Sequence, residues 1–477
     1  MRSSPLIGIA TFLATKILIS TLIVGLVILG LSLLIGRYFC GWICPLGTVI
    51  DLSDRLHQKF LRGKPNTIRP LRAWKYSILI VILIAALFST QVIWFFDPIV
   101  IITRSMTAAV YPLIAFLLES GLKLLLSVGI LQDQLFSLYD LFRQRILPIN
   151  PIFFQQSMTF AVIFIGILLL GLLARRFWCR YLCPLGALFG SFATLRFTQG
   201  IAVASDKCID CGKCQRICKM DAINDDYRSH ARSECIECMS CVAVCPTSAI
   251  SYQLRPKFAP QRIDISRRRF VYSSASGLIA LGLIKTGFKN PIATGQVVRP
   301  PGALPEPEFL NRCVRCQECV KICSTTGACL QPGLLESGWE GLWTPLVNAR
   351  HGYCEYNCNL CGKVCPTGAI HPLELSQKQQ LRMGTAYFDK SRCIPWYRGE
   401  DCLVCEEHCP LPDKAIKFDI REARRPDGTV AVVKFPYVDE KLCIGCGICV
   451  TKCPVPGPGG LFLTNAHQQR WGQEAEF

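Results

Sequence analysis

The 477-residue chain is 51% hydrophobic with a positive mean hydropathy, which points to a membrane protein with soluble appendages. Its formal charge of +18, 52 basic against 34 acidic residues, would suit nucleic acid. The basic residues instead fall beside apolar spans, where lipid head groups and the positive-inside rule account for them, so nucleic acid is set aside.

Residues 6–36 are almost continuously apolar, interrupted by Lys16. Further spans run from about Trp74 to Phe96 and from about Met158 to Trp178, each long enough for a bilayer at ~20 residues. The stretch 51–75 carries seven Lys/Arg against Asp51 and Asp54, whereas 97–150 carries four of each sign. Basic loops stay in the cytoplasm. The expectation is three crossings with 51–75 inside and 105–150 not crossing; a fourth crossing over 107–130, which contains Glu119 and Lys123, is the alternative.

The spans contain a repeat. Arg37-Tyr-Phe-Cys40-Gly-Trp-Ile-Cys44-Pro-Leu-Gly47 is echoed by Arg176-Phe-Trp-Cys179-Arg-Tyr-Leu-Cys183-Pro-Leu-Gly186. A duplicated helix-plus-motif unit predicts a pseudo-twofold site. The i, i+4 spacing would set both sulfurs of a pair on one helical face, with the proline ending or kinking the chain. Cys40, Cys44, Cys179 and Cys183 could converge on a metal or cluster, form redox disulfides, touch a quinone head group, or simply pack.

Sorting the 29 cysteines leaves 24 in six groups of four, these four, and Cys329. The spacing C-x-x-C-x-x-C-x-x-x-C excludes a secreted disulfide scaffold. Cys208-Cys211-Cys214-Cys218 and Cys235-Cys238-Cys241-Cys245-Pro246 have the two-cluster ferredoxin spacing, in which three thiolates grip one cubane and the fourth serves the other. One set is therefore Cys208, Cys211, Cys214 and Cys245, and the other Cys235, Cys238, Cys241 and Cys218. Lys219 replaces the usual proline. Structural zinc would also take four thiolates, but two complete copies at this spacing favour iron–sulfur.

Ser266-Arg-Arg-Arg-Phe270 is a twin-arginine pattern ahead of the apolar 271–288, read as an export signal whose apolar stretch stays as an anchor. A basic juxtamembrane stop is the plainer alternative. Pro/Gly-rich 291–308 reads as a linker. Four more groups follow: Cys313-Cys316-Cys319-Cys323, Cys354-Cys358-Cys361-Cys365, Cys393-Cys402-Cys405-Cys409 and Cys443-Cys446-Cys449-Cys453. They imply four further cubanes, with fourth cysteines expected to exchange first with fourth group and second with third. Cys329 is expected to be buried packing.

No C-x-x-C-H, P-loop, dinucleotide fingerprint or nucleophile elbow is present, and no histidine lies inside an apolar span. The expected fold is an α-helical membrane domain plus α+β ferredoxin-like iron–sulfur modules. The membrane domain covers 1–200, a cytoplasmic two-cluster module 201–255, the signal, anchor and linker 256–308, and an outer four-cluster domain 309–477. Together they would hold six [4Fe–4S] clusters.

Residues 1–252, with both C-x-x-x-C-P-L-G motifs, Phe96-Asp97-Pro98 and the ferredoxin module, resemble NapH, the membrane quinol-dehydrogenase subunit of periplasmic nitrate reductase systems. The same motifs occur in related membrane regulators and oxidase-maturation proteins. Residues 266–477, with Gly352-Tyr-Cys-Glu-Tyr-Asn-Cys-Asn-Leu-Cys361, resemble its exported four-cluster partner NapG. The resemblance implies a protein of the prokaryotic cytoplasmic membrane that oxidises menaquinol or ubiquinol from the quinone pool and passes electrons to an external multihaem cytochrome or reductase. NapH-like proteins carry one more helix before the first motif, which implies a truncated start here. Two other readings stay open: a maturation or regulatory protein serving another metalloenzyme, and electron flow in reverse from a low-potential cytoplasmic donor.

Overall fold

The computed structural model describes residues 2–60, 69–127, 140, 154–195, 199–254, 266–286, 297–425 and 428–472. Two compact units emerge, residues 1–105 with 159–285 and residues 106–158 with 286–477. Residues 1–105 and 159–200 of the expected membrane domain fall in one unit with the two-cluster module, and 106–158 fall in the other. The first part of the expected linker and most of 128–153 lie outside the described residues.

The expected span over 6–36 is instead a pair of short helices, α1 (Pro5–Thr15) and α2 (Ile23–Ile35). Lys16 takes the left-handed conformation at φ 59° and caps α1 through its N–H to Phe12, which ends the helix. The two helices run antiparallel and close: a Cβ on Gly8 would meet Leu22 at 3.6 Å, and one on Gly25 would meet Ser4 at 2.9 Å. Thirteen residues at ~1.5 Å rise give about 20 Å, short of the ~30 Å apolar core of a bilayer. α3 (Pro45–Phe60) and α4 (Trp74–Leu87) follow. α4 stops well before Phe96, where Ser89 turns at φ 60°.

α5 (Pro98–Ser105) continues through a π turn, Met106–Val110, into α6 (Tyr111–Ser127). Among the described residues, this helix (Pro98–Leu125 as a span) is the one long and apolar enough to cross a membrane. Its charges are accounted for locally. Lys123 Nζ pairs with Glu119 Oε1 at 2.7 Å, one turn apart, and Asp97 Oδ1 accepts the N–H groups of Ile99 and Val100 at 2.9 and 3.1 Å as an N-cap.

The first unit continues with α7 (Ser157–Leu169), α8 (Pro184–Thr194) and the two-cluster module, in which β1 (Gln199–Val203) pairs antiparallel with β2 (Ile250–Leu254) around the short helices α9 (Lys213–Ile217) and α10 (Ser240–Val244). α11 (Arg267–Thr286) starts inside the twin-arginine motif, capped by Ser266, whose Oγ accepts the Arg269 N–H at 3.2 Å. The arginines of the motif and the expected anchor are thus one helix, and Gly277 brings it against Val81 and Ile84 of α4. Val27 on α2, Val162 on α7 and Ile279 on α11 leave apolar side chains more than half exposed.

The second unit is built of short pieces. Before the paired strands come α12 (Glu306–Arg312) and α13 (Glu318–Cys323). β3 (Leu330–Pro332) pairs with β4 (Pro345–Val347), β5 (Thr385–Phe388) with β8 (Leu461–Thr464), and β6 (Ile416–Arg424) with β7 (Val430–Val438), all antiparallel. Between them lie α14 (Leu360–Val364), α15 (Leu375–Gln380), α16 (Ile394–Arg398), α17 (Val404–Glu407) and α18 (Ile448–Lys452). Its apolar cores are small and take in cysteines themselves, as where Cys405 packs with Ala349, Ile416, Val450 and Leu461. Cores this thin leave metal–ligand bonds to supply much of the stability.

Candidate iron–sulfur sites

In each regular group the residues on either side of the second cysteine are left-handed. They are Asp210 and Gly212, Glu237 and Met239, Arg315 and Gln317, and Gly445 and Gly447, with φ between 51° and 79°. This double curl turns three cysteines toward one centre. Five of the eight are not glycine, and such a residue costs on the order of 1–3 kcal/mol unless its surroundings fix it. The groups with widened spacing lack the curl, Asn359 and Leu403 having φ −132° and −110°.

Helix pairs then exchange the fourth cysteine. In the two-cluster module, Cys208, Cys211, Cys214 and Cys245 line one cavity and Cys218, Cys235, Cys238 and Cys241 another. These are the two sets the spacing suggests. In the second unit the exchange differs from the nested order expected. Cys365 joins Cys313, Cys316 and Cys319, while Cys323 joins Cys354, Cys358 and Cys361. Cys453 joins Cys393, Cys402 and Cys405, and Cys409 lines a cavity with Cys443, Cys446 and Cys449. The reason is local: α13 packs on α14 and α17 on α18, so each helix gives its third cysteine to its own group and the next to its neighbour. The Cys354 N–H donates to the Cys446 carbonyl at 2.9 Å, so the four sets stand in a row.

Among the described residues no group of His, Cys, Asp or Glu is close enough to grip a single ion. Four thiols instead converge on one cavity in the sets Cys208/Cys211/Cys214/Cys245, Cys218/Cys235/Cys238/Cys241 and Cys409/Cys443/Cys446/Cys449. Soft thiolates at this spacing select iron–sulfur. Burial pushes the Cys313 thiol up to about 11, with Cys365 adding to it and Arg315 opposing, and burial takes Cys405 and Cys446 to about 12. Without metal these sulfurs stay protonated.

The C-x-x-x-C-P pairs are not on α-helical faces. Each is a π turn, Phe39–Ile43 and Trp178–Leu182, closed by the Cys44 N–H on Phe39 O and the Cys183 N–H on Trp178 O, both at 2.9 Å. The proline then starts α3 or α8 at the position where no N–H is needed. Cys183 Sγ accepts the Gly186 N–H at 3.3 Å. The two turns face each other and trade arginines. Arg176 of the second copy reaches Cys40 O at 3.3 Å and lies 3.7 Å from where a Gly47 Cβ would stand; Arg37 of the first lies 2.8 Å from that of Gly186. All four cysteines sense one another electrostatically.

This site abuts the second ferredoxin set. Cys40 and Cys179 pack with Met220, Ala222 and Ile236 beside Cys218, Cys235 and Cys238. Polar contacts join the two. Lys75 Nζ pairs with Glu234 at 2.5 Å and Arg37 with the same carboxylate at 3.5 Å, all three side chains being buried. Trp42 Nε1 donates to Glu237 O at 2.9 Å. Arg176 and Lys219 both hold Asp51, at 2.6 and 2.7 Å. Burial works to raise the Asp51 carboxyl, and these two cations overcome it, holding it below the usual carboxylate range. Lys219, the residue standing where proline is usual, thus ties the ferredoxin module to α3. Sequence spacing missed Asp51, Lys75 and Glu234; a lysine within an apolar span was the available signal.

Comparison with known proteins agrees on chemistry. A family described as a 4Fe-4S binding domain matches residues 17–65 and 156–201, and a 4Fe-4S dicluster domain matches 207–250. Further 4Fe-4S binding domains match 310–326 and 436–456. The chain is 35% identical to the ferredoxin-type protein NapG of Escherichia coli (strain K12) over 199 residues, 40% of this chain and 83% of that protein. It is 32% identical to the methylamine utilization ferredoxin-type protein MauM of Methylophilus methylotrophus over 198 residues, 41% of this chain and 82% of that protein. The ferredoxin-type protein NapF of Escherichia coli (strain K12) matches at 30% over 172 residues, 36% of this chain and 87% of that protein.

Proposed function

The chain belongs to the family of ferredoxin-type iron–sulfur proteins that includes NapG and MauM, and from that premise we propose that it is a membrane-bound electron conduit from quinol to an external redox partner. In this reading residues 1–252 form a NapH-like quinol-oxidising half and residues 266–477 an exported four-cluster half, fused in one chain. The 24 cysteines of the six groups hold six [4Fe–4S] clusters, each a one-electron site whose potential its surroundings set.

The observation that carries the reading is the contact between the duplicated motif and the second ferredoxin set. Cys40 and Cys179 pack beside Cys218, Cys235 and Cys238, so an electron delivered at the π turns starts next to a cluster site. Arg37 and Arg176 keep positive charge at the turns. Asp51 and Glu234 hold these arginines in place and fasten the module to the helices. The family match over 17–65 and 156–201 favours a second role for Cys40, Cys44, Cys179 and Cys183, that they hold an iron–sulfur group between the two copies. The exposed apolar faces of α2, α7 and α11 and the helix Pro98–Leu125 support a lipid setting. Ser266-Arg-Arg-Arg-Phe270 supports export of the second half already folded with its clusters, leaving it on the outer face.

The test is anaerobic. The purified protein, clusters intact, receives a menaquinol analogue while cluster reduction is followed by EPR. Fast reduction blocked by a quinone-site inhibitor is expected. Clusters that dithionite reduces but quinol does not would turn the assignment to reverse flow or to service of another metalloenzyme.

A further inference from the structure

Cys329 stands outside every four-cysteine group, yet it is 2% exposed and its Sγ lies 3.7 Å from Cys323 Sγ. Cys354 lies close enough to act on the Cys329 thiol electrostatically. The separation is far beyond the ~2.05 Å of a disulfide, so the two sulfurs are neighbours and not a bond. Cys323 and Cys354 belong to one set with Cys358 and Cys361. Five cysteines therefore crowd a site that uses four. With the four bound as thiolates, Cys329 is the one that keeps a hydrogen to donate.

Lys378 on α15 supplies an independent observation. It is 2% exposed, and its Nζ donates to the carbonyls of Glu355 at 2.6 Å and Tyr356 at 2.9 Å, the two residues after Cys354. Its charge acts on the Cys354 sulfur, as does that of the Glu355 carboxylate in the opposite sense. No ion pair among the described residues includes Lys378. A buried ammonium resting on two carbonyls is costly without a counter-charge, and thiolates around an anionic cluster provide one.

We infer that Cys329 and Lys378 are positioning residues for the cluster of Cys323, Cys354, Cys358 and Cys361, raising its reduction potential above what four thiolates alone would set. Reduction adds one electron and one negative charge to the site. A hydrogen bond to the Cys323 sulfur, and a cation near Cys354, both favour the more negative state. The location gives the effect a use. Cys354 is where this set meets the Cys446 set, so its potential governs passage between the two halves of the row. The inference rests on reading those four cysteines as one ligand set.

EPR-monitored redox titration of the full-length holoprotein, with iron content measured alongside, tests it in the wild type and in Cys329→Ala, Cys329→Ser, Lys378→Met and Cys323→Ser. Cys329→Ala and Lys378→Met should keep full iron and move one midpoint to a more negative value while the other signals stay. Cys329→Ser, which still donates a hydrogen bond, should restore most of the shift. Full iron with unmoved midpoints in both variants overturns the inference. It is also overturned if Cys329→Ala loses one cluster and Cys323→Ser keeps it, because Cys329 is then an iron ligand. Alkylation of Cys354, Cys358 and Cys361 in native wild-type protein would instead sink the ligand reading before any variant is made.

Discussion

The backbone N–H of Cys354 donates to the carbonyl of Cys446 at 2.9 Å, stitching a group from one pair of cysteine helices to a group from the other. The order of sites along the row follows from this bond and from the two exchanges on either side of it.

That order can be read by chemical protection. Cys365→Ser should expose Cys313, Cys316 and Cys319 to alkylation while Cys443, Cys446 and Cys449 stay protected. Cys453→Ser should expose Cys402 and Cys405 and leave the Cys313 group untouched. Mass spectrometry of the alkylated holoprotein decides it; the nested order predicts that Cys453→Ser frees Cys313, Cys316 and Cys319.

Glu234 answers two buried cations, Arg37 and Lys75. Glu234→Gln leaves both without their carboxylate, a change that costs about 3–5 kcal/mol in comparable buried pairs. The thermal transition of the first unit should fall, and the cluster of Cys218, Cys235, Cys238 and Cys241 should become the more easily lost. An unchanged transition would mean the pair is solvated.

Cys40→Ser with Cys44→Ser should abolish quinol-driven reduction while the six clusters of the 24 cysteines remain assembled and reducible by dithionite. Iron analysis accompanies the EPR. Loss of iron equal to one cluster would assign the π-turn cysteines as ligands, and loss of two or more would make them determinants of assembly.

Arg267→Lys with Arg268→Lys should keep the four-cluster half off the outer face. Protease added to spheroplasts should then leave residues 309–477 intact, where the parent protein is cleaved. Cleavage in both would reduce the arginines to a juxtamembrane stop.

Iron retention should depend on pH with a fixed sign. The Cys313 thiol lies near 11 and those of Cys405 and Cys446 near 12 without metal, above the 9.0 of a free cysteine. Each must lose a proton to bind iron throughout the range below these values, so apparent affinity rises as pH rises and protons compete as it falls. Chelator competition between about pH 6.5 and 9, followed by cluster absorbance, should show slower iron loss at the higher pH. A flat profile would contradict it.

The cysteine groups were legible because cubane ligation leaves a spacing that little else imitates, and the exchange in the two-cluster module followed from that spacing. The exchange in the second unit did not. It depends on which short helices pack together, and α13, α14, α17 and α18 are too brief to carry a periodic signal. The left-handed curl was hidden as well, since Asp210, Glu237, Met239, Arg315 and Gln317 occupy positions where glycine would have announced it. Hydropathy marked the apolar stretches around α1, α2 and α4 but not their breaks: Lys16 ends α1 through backbone conformation, which composition does not encode. The pairing of Glu119 with Lys123 one turn apart was likewise invisible to a residue count.

Arg176 holds the Cys40 carbonyl of the first copy, and Arg37 lies against Gly186 of the second. A single copy would leave each arginine without that neighbour. Two identical subunits meeting about a twofold axis could satisfy the same demand, and the tandem repeat achieves this within one polypeptide, free to let its halves diverge. Gly41 and Arg180 occupy equivalent positions, and Arg180 already reaches out to Lys219 O, a contact its counterpart lacks a side chain to make. Damage at such a site would show up away from its origin: replacing Arg176 should disturb the Cys40 turn of the first copy, whose carbonyl it holds.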